Sequence, residues 1–499
     1  MFNTLKKVAK NSAIYGVGTF STKLIGIILL PLYTSYITVS DYGVLAIAEI
    51  TSIFLVAFIS LKINAAFFRW YWDEKYLSKQ KSIFFTSFTL VLFVSILALF
   101  PLIIFSNKLS ILFFQTEKYS YLLQLMALFS VLQVMIELII YLMRVQEKAV
   151  FYSTTSVIKL FVSLVITIVF VVWLGRGIEG IYEAQIISQI VFFSITLKYI
   201  ITNSEINYES KIIKGMLKYS IPLILADISG VILTASDRIC LNFLDSTKQV
   251  GIYSLGFKVS NTIRVFLYTS AMMAVSPLIY QYINRPGNMR FYSKLLTYFT
   301  FAIMVFVIFL SLFAKELIYF FVQSASYYDA WKVIPILSLA ILFGVMKDVS
   351  LTGLNITKKS SLMALIVFCM ALLNIGLNIY LIPLFSSLGA SIATLITRIV
   401  SFIIFYNVAQ KYYKIPYELK KVLLTVIIGS TLIAIAVFTN NLNAYFSIII
   451  KILLFASFPY ILYLLNFFEE VELQRIQASW NKWKNPKTWQ KNIRKIKFK

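Results

Sequence analysis

Apolar residues along the chain come in runs close to twenty residues long, separated by short polar stretches. A helix rises about 1.5 Å per residue, so such runs match a bilayer core about 30 Å thick. The pattern predicts about fourteen spanning helices. The first six run over 12–34, 43–62, 83–105, 121–143, 153–174 and 178–201. The next six run over 219–243, 252–282, 294–314, 331–357, 359–382 and 387–410, and two more over 419–439 and 444–467. The period-2 alternation of a lipid-embedded strand is absent, which excludes a β-barrel. The expected fold class is an all-α polytopic membrane protein.

The same pattern occurs twice. Gly180, Ala184, Ile187, Ile190, Val191 and Phe193 return, 209 residues later, as Gly389, Ala393, Ile396, Ile399, Val400 and Phe402. Lys108, Ile111, Phe113 and Phe114 return 207 residues later as Lys315, Ile318, Phe320 and Phe321, and Val39 to Gly43 faces Thr247 to Gly251. A period of about two hundred residues is far too long for a solenoid and fits the duplicated halves of a transporter. The expected organisation is a first lobe at 1–205, a second at 206–415, two further spans at 416–467 and a basic tail at 468–499.

Charge then orients the chain. Lysine and arginine concentrate in every second loop, the asymmetry that marks cytoplasmic loops, so both termini are expected in the cytoplasm. Six spans separate the copies, so both insert in the same sense as parallel repeats. The net charge of +25 therefore reports topology, and nucleic acid is not an expected partner. Lys6, Lys7 and Lys10 precede the first apolar run without a small-residue cleavage site, which reads as a spanning helix and not a removable signal. Segment 63–82, with Arg69 to Trp72, reads as an interfacial element at the cytoplasmic face, and 108–116 and 315–325 as short amphipathic helices on the outer one. The tail, with Trp480, Trp483 and Trp489 among lysines, either docks on anionic lipid or is solvated.

Composition excludes several chemistries. Hydrophobic residues make up 60% of the chain and charged residues 13%, about half the charge of a soluble protein. There is no histidine, which removes the usual proton shuttle, the commonest metal ligand and the serine triad. Cys240 and Cys369 have no metal spacing, no P-loop pattern occurs, and every outer loop is short. Transport by alternating access, without cofactor or metal, is expected in place of catalysis.

Charges inside the bilayer are costly and mark function. Lys23, Arg264 and Arg398 sit near the middles of spans 1, 8 and 12, with no acid at equal depth evident in the sequence, and Lys258 lies above Arg264. Converging between two lobes they would form an anion site, with arginine suited to phosphate; alternatively one or more snorkels or pairs with a distant carboxylate. Lys159, Lys347, Glu49 and Asp227 are further cavity or coupling candidates. Glu137 and Lys159 are expected to neutralise each other, Asp237-Arg238 to cap span 7, and Lys347 and Asp348 to point in different directions.

Several ordered motifs then resemble those of polysaccharide flippases of the multidrug/oligosaccharidyl-lipid/polysaccharide exporter superfamily. They are Asn11-Ser12 with Ser21 to Gly26 and Asp41-Tyr42-Gly43; Tyr219 to Leu223 with Ser236-Asp237-Arg238 and Val250 to Ser254; and Gly389 to Thr394. The resemblance covers spans 1 to 12. It implies two six-helix lobes in a V, often with two extra helices. It also implies a Wzx-type flippase that moves undecaprenyl-pyrophosphate-linked oligosaccharide across the bacterial inner membrane for O-antigen or capsule-type polymers, beside polymerase and chain-length proteins. The superfamily's lipid II flippases carry a basic residue in the Ser-x-Lys/Arg context, which gives Lys23 a role. Their second basic residue of span 1 corresponds here to Leu29 or Leu30, which argues against lipid II itself. Two other readings are a multidrug/cation antiporter, which needs an anionic cavity, and a glycan polymerase, disfavoured by loop length.

Overall fold

The computed structural model describes residues 29–474 and 477, apart from 284, 358, 440 and 441. These residues are overwhelmingly helical, and no strand occurs among them. The first half contains α1 (Leu30–Tyr36), α2 (Val39–Ile59), α3 (Ile63–Trp70), α4 (Gln80–Ile104), α5 (Ser106–Phe114), α6 (Ser120–Val145), α7 (Ala149–Ile168) and α8 (Gly177–Thr202). The second contains α9 (Ser210–Leu244), α10 (Thr247–Ile263), α11 (Ser270–Gln281), α12 (Asn288–Leu312), α13 (Ala314–Phe321), α14 (Ile334–Ser350), α15 (Thr352–Ile356) and α16 (Ser360–Tyr412). Two more follow, α17 (Leu419–Thr439) and α18 (Ala444–Leu464). Among the described residues ten helices are long and apolar enough to cross a membrane. Large apolar side chains such as Phe93, Phe161, Phe320 and Phe438 stay exposed on the bundle, as a lipid-facing surface requires.

The expected spans coincide with these helices, with two differences. Predicted span 1 lies mostly outside the described residues, and its last turn is α1. Span 7 starts earlier than its apolar run, because α9 begins at Ser210 and extends 35 residues, about 52 Å at helical rise. Spans 11 and 12 are two helices, as expected: the range labelled α16 doubles back at Ser386, whose φ of 56° and ψ of −133° turn the chain. The repeated glycines explain part of the echo. A Cβ on Gly389 would lie 2.2 Å from the Leu381 carbonyl oxygen, and one on Gly180 would lie 3.0 Å from the Phe170 Cβ. In both copies the glycine lets the last helix of the half pack tightly on the one before it.

The shortest echo, Val39 to Gly43 against Thr247 to Gly251, turns out to be a contact. A Cβ on Gly43 would fall 1.9 Å from the Thr247 carbonyl oxygen, and one on Gly251 would fall 2.2 Å from the Val39 carbonyl oxygen. The helices α2 and α10 therefore cross backbone to backbone, each glycine lying on the carbonyl four residues before the other. The loop-charge expectation puts this end on the outside, and it is called the outer end below. Beneath the crossing, one apolar core draws on both halves: Leu30, Tyr33, Tyr42, Ile252, Leu255 and Tyr327 are all buried in it.

At the opposite end the halves meet through α3 and α9. Arg69 stacks its guanidinium 4.9 Å from the Tyr219 ring centroid, and the Trp70 ring lies 5.6 Å from Tyr219. The expected interfacial element 63–82 is thus α3 with a short 3-10 turn, Glu74–Lys79. Both expected outer amphipathic segments are helical as well, as α5 and α13.

Candidate functional site

The intramembrane charges are set by α10, α14 and α16. The α10 helix widens at Arg264–Thr269 into a π turn, a local geometry frequent at functional sites, and Arg264 opens it. Arg264 Nη2 donates to Asp348 Oδ2 at 2.7 Å, and Lys347 Nζ lies 2.8 Å from Asp348 Oδ1. This corrects two expectations. Arg264 has a carboxylate partner, because the acid arrives on α14, a helix distant in sequence. Lys347 and Asp348, adjacent on one helix, nevertheless touch, because the four-carbon lysine stem folds back.

Arg398, on α16, makes no ion pair among the described residues. It lines a cavity of about 270 Å³ together with Arg264, Thr234, Phe257, Asn261 and Thr394. Two of the three mid-span cations singled out in the sequence therefore face one space, with Lys347 behind them and one carboxylate among the three. Lys23 lies outside the described residues. Lys258, on α10, reaches across to the first half, its Nζ 5.7 Å from the ring centroids of both Tyr33 and Tyr42. Glu49, exposed on α2, faces it within electrostatic range.

The other candidates disperse. Asp227 pairs with Lys62 at 2.7 Å, near the inner end. That contact hangs on a tight turn in which Leu61 and Lys62 both take left-handed φ, 45° and 50°, a conformation side chains resist. Ser220 Oγ holds it by donating to the Lys62 carbonyl at 3.2 Å. Lys159 donates to Gln133 Oε1 at 3.3 Å, and Gln189 Nε2 donates to the same oxygen at 3.1 Å. The expected Glu137–Lys159 ion pair does not form, because Gln133 takes the ammonium.

Asp237 is the residue most misread from sequence. It caps nothing, since α9 continues to Leu244. It is buried and accepts from Tyr253 Oη at 2.7 Å, Thr394 Oγ1 at 2.8 Å and Asn378 Nδ2 at 2.9 Å. Asn374 and Ser236 extend the network, and Asn378 Oδ1 is buried without a partner among the described residues. A carboxylate, amide and hydroxyl oxygens, one of them unsatisfied, form an all-oxygen donor set suited to a hard cation. The polar positions of α16 signalled this at Asn374 and Asn378, four residues apart on one helix face. What could not be read was that Asp237 would meet them. Among the described residues no cluster of histidine, cysteine or carboxylates suits a transition metal.

A model of the polysaccharide biosynthesis protein family matches residues 8–283, more than half of the chain. The chain belongs to that family. A second model, MatE, matches residues 222–380. No curated protein matches this family member. Among solved structures it is similar to the lipid II flippase MurJ in an inward closed conformation, with a TM-score of 0.73 at 16% identity, covering 90% of this chain and 99% of the other. It is also similar to an inward-facing multidrug resistance MATE transporter, with a TM-score of 0.59 at 16% identity over 80% and 94% of the two chains. The outward-facing MATE structure gives a TM-score of 0.59 at 17% identity over 81% and 95%. At these identities the likeness is one of fold. It bears out the all-α membrane architecture, and the two family models bear out the resemblance to the polysaccharide exporter superfamily.

Proposed function

We propose that this protein is a flippase of the bacterial cytoplasmic membrane. Its substrate is an undecaprenyl-pyrophosphate-linked oligosaccharide repeat unit, translocated by alternating access to supply an O-antigen or capsule-type polymer. The two lobes, 1–205 and 206–415, rock about a shared axis, and the pyrophosphate rides between them while the lipid tail trails in the bilayer. The observation that carries this reading is the cavity shared by Arg264 and Arg398, with Asp348 the one carboxylate paired to Arg264 and Lys347 beside it. Arginine forks bind phosphate oxygens in pairs, and a low-dielectric site strengthens that attraction. The family description, polysaccharide biosynthesis protein, supports the glycan cargo.

The cation antiporter reading fits less well. Its acids would have to stand free, yet Asp227 is neutralised by Lys62. On the flippase reading both termini lie in the cytoplasm, anionic lipid holds the basic tail, and polymerase and chain-length proteins take the product.

The test is the double variant Arg264→Gln/Arg398→Gln, normally inserted, in cells lacking the native gene. Lipid-linked glycan is expected to accumulate on the inner leaflet, with transport reduced at least about tenfold by loss of two charge-assisted contacts. Wild-type transport by that variant would remove the anion site from the account.

A further inference from the structure

The cations around α10 lie at two depths. Arg264 lies six residues beyond Lys258, about 9 Å further along the helix. At the shallower level stands a residue the proposed cavity does not use. Arg238, on α9, lays its guanidinium 4.3 Å from the Phe257 ring centroid, and its Nε is buried without a hydrogen-bond partner among the described residues. Stacking fixes the plane of the fork, so the unsatisfied N–H points in a set direction. Lys258 directly follows Phe257. The Lys258 ammonium lies 5.7 Å from the Tyr42 ring centroid, and the Arg238 guanidinium also lies 5.9 Å from the Tyr253 ring centroid. Tyr42 directly precedes Gly43, whose Cα lies on the Thr247 carbonyl at the outer crossing.

We propose that Arg238 and Lys258 form a second, outer anion subsite beneath the crossing of α2 and α10, and that filling it releases that crossing. The inference rests on the pyrophosphate reading above. With the subsite empty, Lys258 is held by Tyr33, Tyr42 and the field of Glu49, all on the first half, and so ties the halves together. A phosphate arriving beside Arg238 competes for the ammonium and satisfies the orphaned Nε. The tie to Tyr42 is lost, and the glycine crossing can separate. The substrate thus opens the outer end only after leaving the deeper arginines.

The experiment uses full-length protein in nanodiscs, with Cys240 and Cys369 replaced by serine and new cysteines at Ser40 and Lys248, which line one depression at the outer end. The probe is inorganic pyrophosphate, and the readouts are its binding and cross-linking of the two cysteines. In the parent, pyrophosphate should lower cross-linking about fivefold or more, the lower end of ordinary coupling between sites. Lys258→Gln should cross-link less at rest and no longer respond. Arg238→Gln should still bind pyrophosphate at the deeper arginines but lose the response, and Arg238→Lys, which keeps the charge, should restore part of it. If the Gln variants respond as the parent does, the outer subsite is wrong while the deeper site stands. If the parent does not bind pyrophosphate at all, the proposed substrate class falls, and this subsite with it.

Discussion

The two halves that echo each other in sequence share close glycine contacts and differ in charge. Gly180 and Gly389 do the same work, and Gly43 and Gly251 meet each other. At equivalent positions, however, the first half has Gln189 where the second has Arg398, nine residues past the repeated glycine in each case. The polar centre of the first half has one lysine and one carboxylate, Lys159 and Glu137, around the amides, with Gln133 receiving both Gln189 and Lys159. The second half gathers Arg264, Lys347, Asp348 and Arg398, and buries Asp237 nearby. A similar divergence occurs on the outer amphipathic helices. Leu109 follows Lys108 in the first, whereas Glu316 follows Lys315 in the second. Glu316 pairs at 2.6 Å with the fully buried Lys451 of α18, a helix the first half has no counterpart to hold. Backbone approach is set by sterics that both copies must satisfy. Charge answers to what each copy faces.

That comparison can be attacked where it is strongest. Gly43→Leu puts a side chain into the Thr247 carbonyl, where only main chain can move. It is expected to abolish the outer-closed state and to cost about 4 kcal/mol, the upper range for overpacking. Loss of cross-linking between Ser40→Cys and Lys248→Cys checks the closure, and thermal unfolding in detergent checks the cost. An effect no larger than that of Gly180→Ala, whose Cβ would come no closer than 3.0 Å to any neighbour, would mean that the crossing is not tight.

Next is the asymmetry of the buried polar centres. Asp237→Ala strands the Tyr253 and Thr394 hydroxyls and the Asn378 amide, a loss of about 3 kcal/mol, while Gln133→Ala in the first half should cost about 1 kcal/mol. Equal shifts in melting temperature would remove the distinction. Lys451→Met leaves Glu316, which is partly exposed and can take up water, so about 2 kcal/mol is expected, below the full cost of breaking an enclosed pair. Protease access to the segment joining α17 and α18 reports that change.

The smallest effect is set by pH. On the inner side Lys294 holds Glu418 at 2.8 Å and Glu469 at 2.5 Å. Burial raises the Glu418 carboxyl, but bonds from Lys294 and Thr297 outweigh it and hold it below the ordinary carboxylate range. Hydrogen bonding from Lys294 does the same for Glu469. A depressed carboxyl stabilises above its unfolded value and loses that contribution as pH falls through its folded one. Docking of 468–474 on α12 should therefore be constant from neutral pH down to the ordinary carboxylate range and loosen only below it. Proteolysis of that segment at stepwise lower pH measures this, and Lys294→Met should move the loosening to higher pH.

The division between chain and fold follows from the range of the forces. Spans α2 to α18 could be placed from apolar run length, because lipid imposes the same demand on each helix separately. The duplication was visible in Gly180 and Gly389 because tight helix packing is a local requirement. Partners were not visible. Asp348 reaches Arg264 from 84 positions away, Asn378 reaches Asp237 from 141, and Gln133 displaces Glu137 from Lys159. Sequence alone set which charged residues fall inside the long apolar runs. Only the packing of α9, α10, α14 and α16 decided which of them meet, since in a low dielectric a charge accepts whatever partner the fold brings within about 3 Å, however distant along the chain.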